Sequence, residues 1–588
     1  MVFIKPYLTL LLCFVAFRGY NQQKNYELSK PVDIRQAGVN KVLCMSNGNT
    51  LLFHFEPSKG IIIKVFDSAR KEIASRRESC RYLDMYRIQD AEFKGLYEIN
   101  HEAVLFFDQE NILSRHILVR LQFSATDGSR TEEKLVAESK SKDKQMNFYV
   151  MKNKDEDKYA ILFSTVKNYP KRCDIYMVYF NSRHEPVKEA QLDVNRRKYD
   201  YVNVAGCAYL DSGVMITFAM SKLVENGTIS HGHTYDAANN FFDVPRTDRT
   251  AANPSGIGDA YAQNFDEMDP TASIYDHYLG IYYVPESGGN TKTKIADVSP
   301  DVYPYHSFYT YNQFSGAINL LLLGYKDAFI RHGLELLPSE VIQNVLLKLD
   351  EATLQVNFKS ITNSFANEEL LRKKDTGSYF AGLPLAVFTN ENGLSTMVSE
   401  SFDRDVTIES HERPNLFESF LGNICVTQFD DDGNELWGVV LPRRQYYKSY
   451  RHYYYINQLS AKWHEQVMFG DLPEQVYNRQ FISLNTYSKG KNYYIIYNDD
   501  DKNFHNSIEK PGDTVYNFER TNACYYKINS KKEVTKNYLF GTPQRGEYKC
   551  SFIEGACFDD KRGVYAALVQ YKRGDNISLR MAWSHLDM

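Results

Sequence analysis

Short apolar runs recur along the chain, most of them just after a cluster of turn-forming residues. They occupy residues 51–55 (LLFHF), 103–107 (AVLFF), 159–163 (YAILF), 213–218 (GVMITF), 317–323 (AINLLLL), 394–398 (LSTMV), 493–497 (YYIIY) and 564–569 (VYAALV). The clusters ahead of them include Asn47-Gly48-Asn49, Asp211-Ser212-Gly213 and Asn392-Gly393. Gly, Asn and Asp tolerate the positive φ that hairpin turns demand. After most runs comes a strand of alternating apolar and polar residues, then a polar turn and a more polar strand. Examples begin at Ile61, Ile117, Asp174, Gly280, Asn344, Ile424 and Ala523. Alternation with β-branched and aromatic residues marks a half-buried strand. A single supersecondary unit repeated at this spacing predicts an all-β chain, a β-propeller of about eight four-stranded blades, with seven as the alternative. Tandem β-sandwiches are the competing arrangement.

The last unit lacks a strand. Residues 564–569 are followed by 577–585 (ISLRMAWSH) and no fourth segment, while residues 27–35 (ELSKPVDIR) form a spare extended piece near the other terminus. The expectation is that this N-terminal strand completes the last blade and closes the ring. Closure removes exposed strand edges, which are otherwise a pairing hazard. The rhythm stretches in two places, near 221–272 and near 442–477, and these read as insertions. Insertions on a repeat scaffold commonly gather on one face, often the binding face.

Residues 1–22 carry one early Lys and an apolar stretch from Tyr7 to Phe17, then polar sequence. That stretch is too short to span a bilayer as a helix and fits a secretory signal, leaving 23–588 as a single propeller domain without a transmembrane span. The expected location is outside the cytoplasm: periplasmic, outer-membrane-associated or extracellular. Composition narrows function further. The 588 residues hold 69 Lys+Arg against 74 Asp+Glu, a net charge of −5, which lacks the basic excess of a nucleic-acid binder. The nine cysteines form no CxxC pair and no metal-like spacing. Most of them sit in apolar runs, as buried thiols do, although Cys550 and Cys557 are near enough in sequence for a bridge. No cofactor and no metal site is expected, and nothing in the pattern sets an oligomeric state.

The 44 Tyr and 35 Phe resolve largely into strands, but one dense stretch stands apart. Arg443, Arg444, Tyr446, Tyr447, Tyr450, Arg451 and Tyr453 interleave basic and aromatic side chains, a chemistry suited to stacking on a glycan or gripping a peptide. The same alternation also arises when Tyr faces a blade core and Arg faces water. Asp499, Asp500 and Asp501 follow a strand and open an irregular loop, a possible place for a cation or ligand. Asp430–Glu435 matches a hairpin turn better than a calcium loop, and His231-Gly232-His233 lacks a discernible third ligand. No G-x-S-x-G, H-E-x-x-H or Walker sequence is present, so catalytic residues stay unassigned.

The stretches ICVTQFDDDGNELWGVVLPRRQ from Ile424 and GKNYYIIYNDDDKNF from Gly490 resemble a family of exported propeller-like proteins of Bacteroidota; IIIKVFDS and KDKYAILFS are similar to it as well. The resemblance implies the fold and export, and it brings no catalytic residues. Taken together, the expected role is binding to another exported protein or to a glycan, without catalysis. The alternative is a polysaccharide-acting enzyme with carboxylates gathered at the central channel, and a weaker one is a structural subunit of an envelope complex.

Overall fold

A computed structural model describes residues 25–223, 275–296, 302–326, 342–361, 382–407, 416–449 and 480–586, with short breaks inside these spans. Seven blades are each made of four consecutive antiparallel strands, and an eighth sheet assembled from both ends of the chain stands between the last blade and the first. The repeat count of about eight thus resolves into seven blades of consecutive strands and one composite closing sheet. Blades 1 to 7 span residues 39–78, 92–138, 144–192, 201–296, 302–361, 382–449 and 484–538. Helical structure among the described residues is confined to three 3-10 turns.

Blade 1 shows why the sequence pattern reads as it does. Its strands are Val39–Cys44, Thr50–Glu56, Gly60–Phe66 and Glu72–Glu78. The two central strands are buried at every position, because blades stack on both of their faces. A strand covered on both faces becomes a near-continuous apolar run. The fourth strand is mostly exposed and correspondingly polar. First strands of successive blades from 1 to 6 touch one another, which places them around the axis. The cores lie between blades: one joins blades 1 and 2 through Phe53, Phe55, Phe107 and Phe123, and the largest runs from blade 6 through blade 7 and the closing sheet to blade 1.

The closing sheet orders its strands Tyr26–Pro31, Asn576–His585, Val564–Arg573 and Glu547–Ser551, with Cys557–Asp559 also on Val564–Arg573. Glu27 pairs with Trp583 and Leu28 with Ala582, so the N-terminal strand does complete the last sheet.

Strand direction sorts the connections onto two faces. First strands all begin on one face, called the entry face here, and second strands return to it. Links from second to third strands, and from one blade to the next, therefore start and end on the entry face. The long links are all of that kind: 224–274, 327–341, 408–415 and 500–521 join second to third strands in blades 4 to 7, while 79–91, 362–381 and 450–483 join blade 1 to 2, 5 to 6 and 6 to 7. Turns on the opposite face are short, none longer than 286–291. Both expected insertions are thus bracketed by strand ends on one face. Residues 1–22, most of 221–272, and 450–477 lie outside the described residues, as do His231 and His233. Phe429 pairs with Glu435 in the third and fourth strands of blade 6, and residues 431–434 between them lie outside the described residues.

Candidate functional site on the entry face

The basic-aromatic stretch begins where blade 6 reaches the entry face. Its third strand, Leu416–Phe429, is long and accepts a fifth strand, Gln445–Ser449, beside its first residues. A bulge lies in that third strand: Ser401 on the neighbouring Ser395–Thr407 faces the two residues Gly422 and Asn423. The approach is close: a Cβ on Gly422 would fall 2.1 Å from Ser401 Oγ, and that hydroxyl would have to rotate away. Arg443 fills the resulting slot. Its Nε donates to Gly422 O over 3.2 Å, its backbone N–H to Asn423 Oδ1 over 3.4 Å, and its guanidinium pairs with Glu400. Both side chains of that pair are 0% exposed.

Arg443, one of the candidate binding residues, is thus placed in the interior of the blade. It is an interior cation holding an interior carboxylate. Its neighbour Arg444 is exposed, and its carbonyl accepts from Val515 N–H over 3.0 Å. Tyr446 is half-buried between two rings, Phe420 at 5.1 Å and Tyr516 at 4.9 Å between centroids. Tyr516 itself is 63% exposed. Sequence reading missed it; the available signal was a large aromatic following the polar stretch Gly512-Asp513-Thr514. Arg444, Tyr446 and Tyr516 form an exposed cation beside an aromatic shelf, between blades 6 and 7. Tyr447 lies in the fifth strand opposite Ser419, while Tyr450, Arg451 and Tyr453 lie outside the described residues.

The three aspartates are spoken for by the protein. Asp499 is buried, accepts from Asn503 Nδ2 at 2.9 Å, and pairs with Lys536 at 2.9 Å. Lys536 also donates to Asn503 O at 2.8 Å and lies 5.6 Å from the ring centroids of Tyr497, Phe504 and Tyr526. Asp500 caps a 3-10 turn by accepting from Lys502 N–H at 2.9 Å. Asp501 accepts from Asn522 Nδ2 at 2.8 Å, and burial pushes its carboxyl above the usual range. The run is a folded loop built on a buried ion pair, in which Asp499 holds Lys536 and Asn503.

Other buried polar groups gather on the same rim. Asn40 opens the first strand of blade 1 and His54 closes the second, bonded Nδ1 to Oδ1 at 2.9 Å. Asn40 Nδ2 donates to Gln480 Oε1 at 3.2 Å, and Gln480 Nε2 donates to Gly38 O at 3.0 Å. Asn40 Oδ1 is thus an acceptor, so the proton on His54 sits at Nδ1. Gly38 must be glycine: its φ is +125° and a Cβ would lie 2.6 Å from the His54 ring. Burial lowers the His54 pKa to about 4, partly countered by Glu56. The unfolded chain therefore binds an extra proton between pH 4 and 6.5, and stability present above pH 6.5 is lost as pH falls through that window. The loss assigned to His54 is about 3 kcal/mol. Urea unfolding at pH 7 and pH 4.5 should show a smaller drop for His54→Gln than for the parent; equal drops would contradict the assignment.

In blade 2, the Lys94 ammonium pairs with Glu92 and lies 3.5 Å from Asp108, which also meets His116 Nδ1 at 3.2 Å. Burial alone would lower the His116 pKa, but the Asp108 hydrogen bond and nearby carboxylates carry it above the ordinary value. These are groups able to move a proton at the rim. On the opposite face, an open cleft of about 410 Å³ is lined by Asn100, Glu102, Gln122, Glu132, Arg183 and His184, among others. Among the described residues, no group of three metal-ligating side chains converges.

No protein-family model matches the chain, and no curated protein matches it either. Among solved structures it is similar to the WD40 domain of SCAP from fission yeast, at 8% identity over 96% of this chain and 99% of that one, with a TM-score of 0.31. It is similar to polysaccharide lyase Uly1 at 7% identity over 84% and 90%, TM-score 0.34. A GH43 endo-arabinanase from Bacillus licheniformis aligns at 12% identity over 55% of this chain and 97% of that one, TM-score 0.22. Such distant likenesses carry no functional argument, and the propeller assignment stands on the strand order of the chain itself.

Proposed function

We propose that this chain is an exported β-propeller that binds another exported protein or a glycan through its entry face. The observation that carries the reading is that the strand ends bracketing every long connection of blades 4 to 7 lie on that face, beside the shelf of exposed Arg444 and Tyr516 and half-buried Tyr446. Loops on a rigid scaffold are where recognition is usually placed, and rigid aromatics with Arg are the commonest anchors of binding energy. The resemblance to exported Bacteroidota proteins supports the address.

The test is capture from a native envelope fraction with mass spectrometry, followed by affinity measurement on the partner and on soluble envelope glycans. The triple variant Arg444→Ala/Tyr446→Ala/Tyr516→Ala should bind about 100-fold more weakly, the loss expected when central anchors are truncated. Unchanged affinity for every captured partner and glycan would overturn the placement on this face.

The paired carboxylates Glu92 and Asp108, with Lys94 and His116, favour a second reading, a polysaccharide-acting enzyme. Shortening of a captured glycan by the unmodified chain would decide for it.

A further inference from the structure

Two cysteines meet at the seam where the ring closes. The seam joins the first strand of blade 1 to the closing sheet, and Val42 N–H donates across it to Gly555 O over 2.8 Å. Cys44 and Cys557 each stand two residues further along. A turn at residues 553–556 brings Cys557 back beside the first strand of blade 1. The Cys44 backbone N–H donates to Cys557 Sγ over 3.4 Å. Cys550, the neighbour that sequence spacing offered to Cys557, is turned instead to Thr521, whose hydroxyl lies 3.1 Å from its sulfur. The expectation of a possible Cys550–Cys557 bridge is thus replaced by a contact across 513 residues of chain.

The surroundings hold these sulfurs in place. Arg562, anchored on Asp559 at 2.8 Å, reaches over the seam to Met45 O at 3.1 Å and Ser46 O at 2.6 Å. Trp583 Nε1 donates to Thr50 Oγ1 at 3.0 Å from the same sheet. Relative motion of the two thiols would have to break these bonds.

We propose that Cys44 and Cys557 form an oxidation site whose disulfide locks the propeller shut across its seam. The oxidant is a disulfide, either a small molecule or that of a thiol oxidoreductase. The Cys557 thiolate attacks one sulfur of it, forming a mixed disulfide and expelling a thiolate. The Cys44 thiolate then attacks Cys557 Sγ and expels the second thiolate. Two protein thiols are oxidised, one disulfide is reduced to two thiols, and the protons balance. The hydrogen bond from Cys44 lowers the Cys557 pKa and raises that of Cys44, which makes Cys557 the first nucleophile. A bond here closes nearly the whole chain into one covalent loop, independently of what the entry face binds.

The experiment treats the full chain with oxidised glutathione under native conditions, then alkylates remaining thiols in denaturant and maps peptides. The expected result is a cross-linked peptide pair containing Cys44 and Cys557, absent from Cys44→Ser and Cys557→Ser and retained in Cys550→Ser. A second form needs no cysteine substitution: a site-specific protease sequence is inserted after Thr228 and cut. The two pieces should then run as one band without reductant and as two with dithiothreitol. Full alkylation of Cys44 and Cys557 after oxidation, separation of the nicked pieces without reductant, or a cross-link to other cysteines overturns the proposal. None of these outcomes bears on partner binding.

Discussion

Arg443→Met is expected to destabilise the chain by about 3–5 kcal/mol, the cost typical of removing one partner from a buried ion pair. The variant keeps most of the side-chain volume, so the loss is electrostatic and not a cavity effect. It leaves the Glu400 carboxylate 0% exposed with its cation gone. Desolvating an unpaired charge is costly, and the group must ionise less readily or pull in water. The sharper prediction concerns the double variant Arg443→Met/Glu400→Leu. Replacing a whole buried pair by apolar residues of similar size is often neutral or stabilising, so the second substitution should restore most of what the first removes. Urea unfolding midpoints of the four chains in the cycle check this. A single-variant cost below about 1 kcal/mol, the range of exposed pairs, would mean that water reaches the pair. Partner binding in Arg443→Met, measured at a temperature where the variant remains folded, should be unchanged, whereas Arg444→Ala should weaken it.

Two adjacent arginines with opposite fates show where sequence reading stops. In the sequence, Arg443 and Arg444 are interchangeable members of a basic-aromatic stretch. Arg443 is interior only because a bulge at Gly422–Asn423 opens a slot and because Glu400, two strands away, projects into it. Neither condition is local, so neither leaves a periodic trace. The apolar runs were legible for the opposite reason. Residues 51–55 and 493–497 are covered on both faces by neighbouring blades, and that burial must be written in the residues themselves. First strands such as Glu92–Ile99 and Leu484–Lys489 are mostly half-buried around the axis. Their mixed composition imitates a loop, and pattern reading passed over them. The Asp499–Asp501 run looked like an open acidic loop because its partners, Lys536 and Asn522, come from later strands of the same blade. Ring closure was legible because a missing strand at one terminus and a spare strand at the other are both local facts. The pairing of Cys44 with Cys557 was not, since it exists only once the ring has closed.

Trp583→Ala is expected to cost about 3–5 kcal/mol and to loosen one place before all others. Trp583 lies on the strand Asn576–His585, yet its indole belongs to blade 1. It is fully buried, meets the Phe66 ring edge-on at 5.4 Å, carries the Arg70 guanidinium 5.2 Å from its ring, and donates to Thr50. A propeller gains its stability from contacts between neighbouring blades, and at this junction the neighbours come from opposite ends of the chain. Elsewhere the connecting chain keeps adjacent blades together when packing weakens. Here the chain crosses from the closing sheet to blade 1 only through the N-terminal strand, so opening of the ring begins at the pairing of Tyr26–Pro31 with Asn576–His585, which no connecting chain backs up. Hydrogen exchange should therefore accelerate in Tyr26–Pro31 and Val39–Cys44 of the variant well before it does in blade 2 or blade 3. Trp583→Phe separates packing from the hydrogen bond: it retains an edge-on ring against Phe66 and loses only the donor to Thr50. Its cost should fall to about 1–2 kcal/mol, with exchange in the two strands only slightly raised. Uniform acceleration across all blades in Trp583→Ala would mean that the ring unfolds as one cooperative body, with no weakest seam.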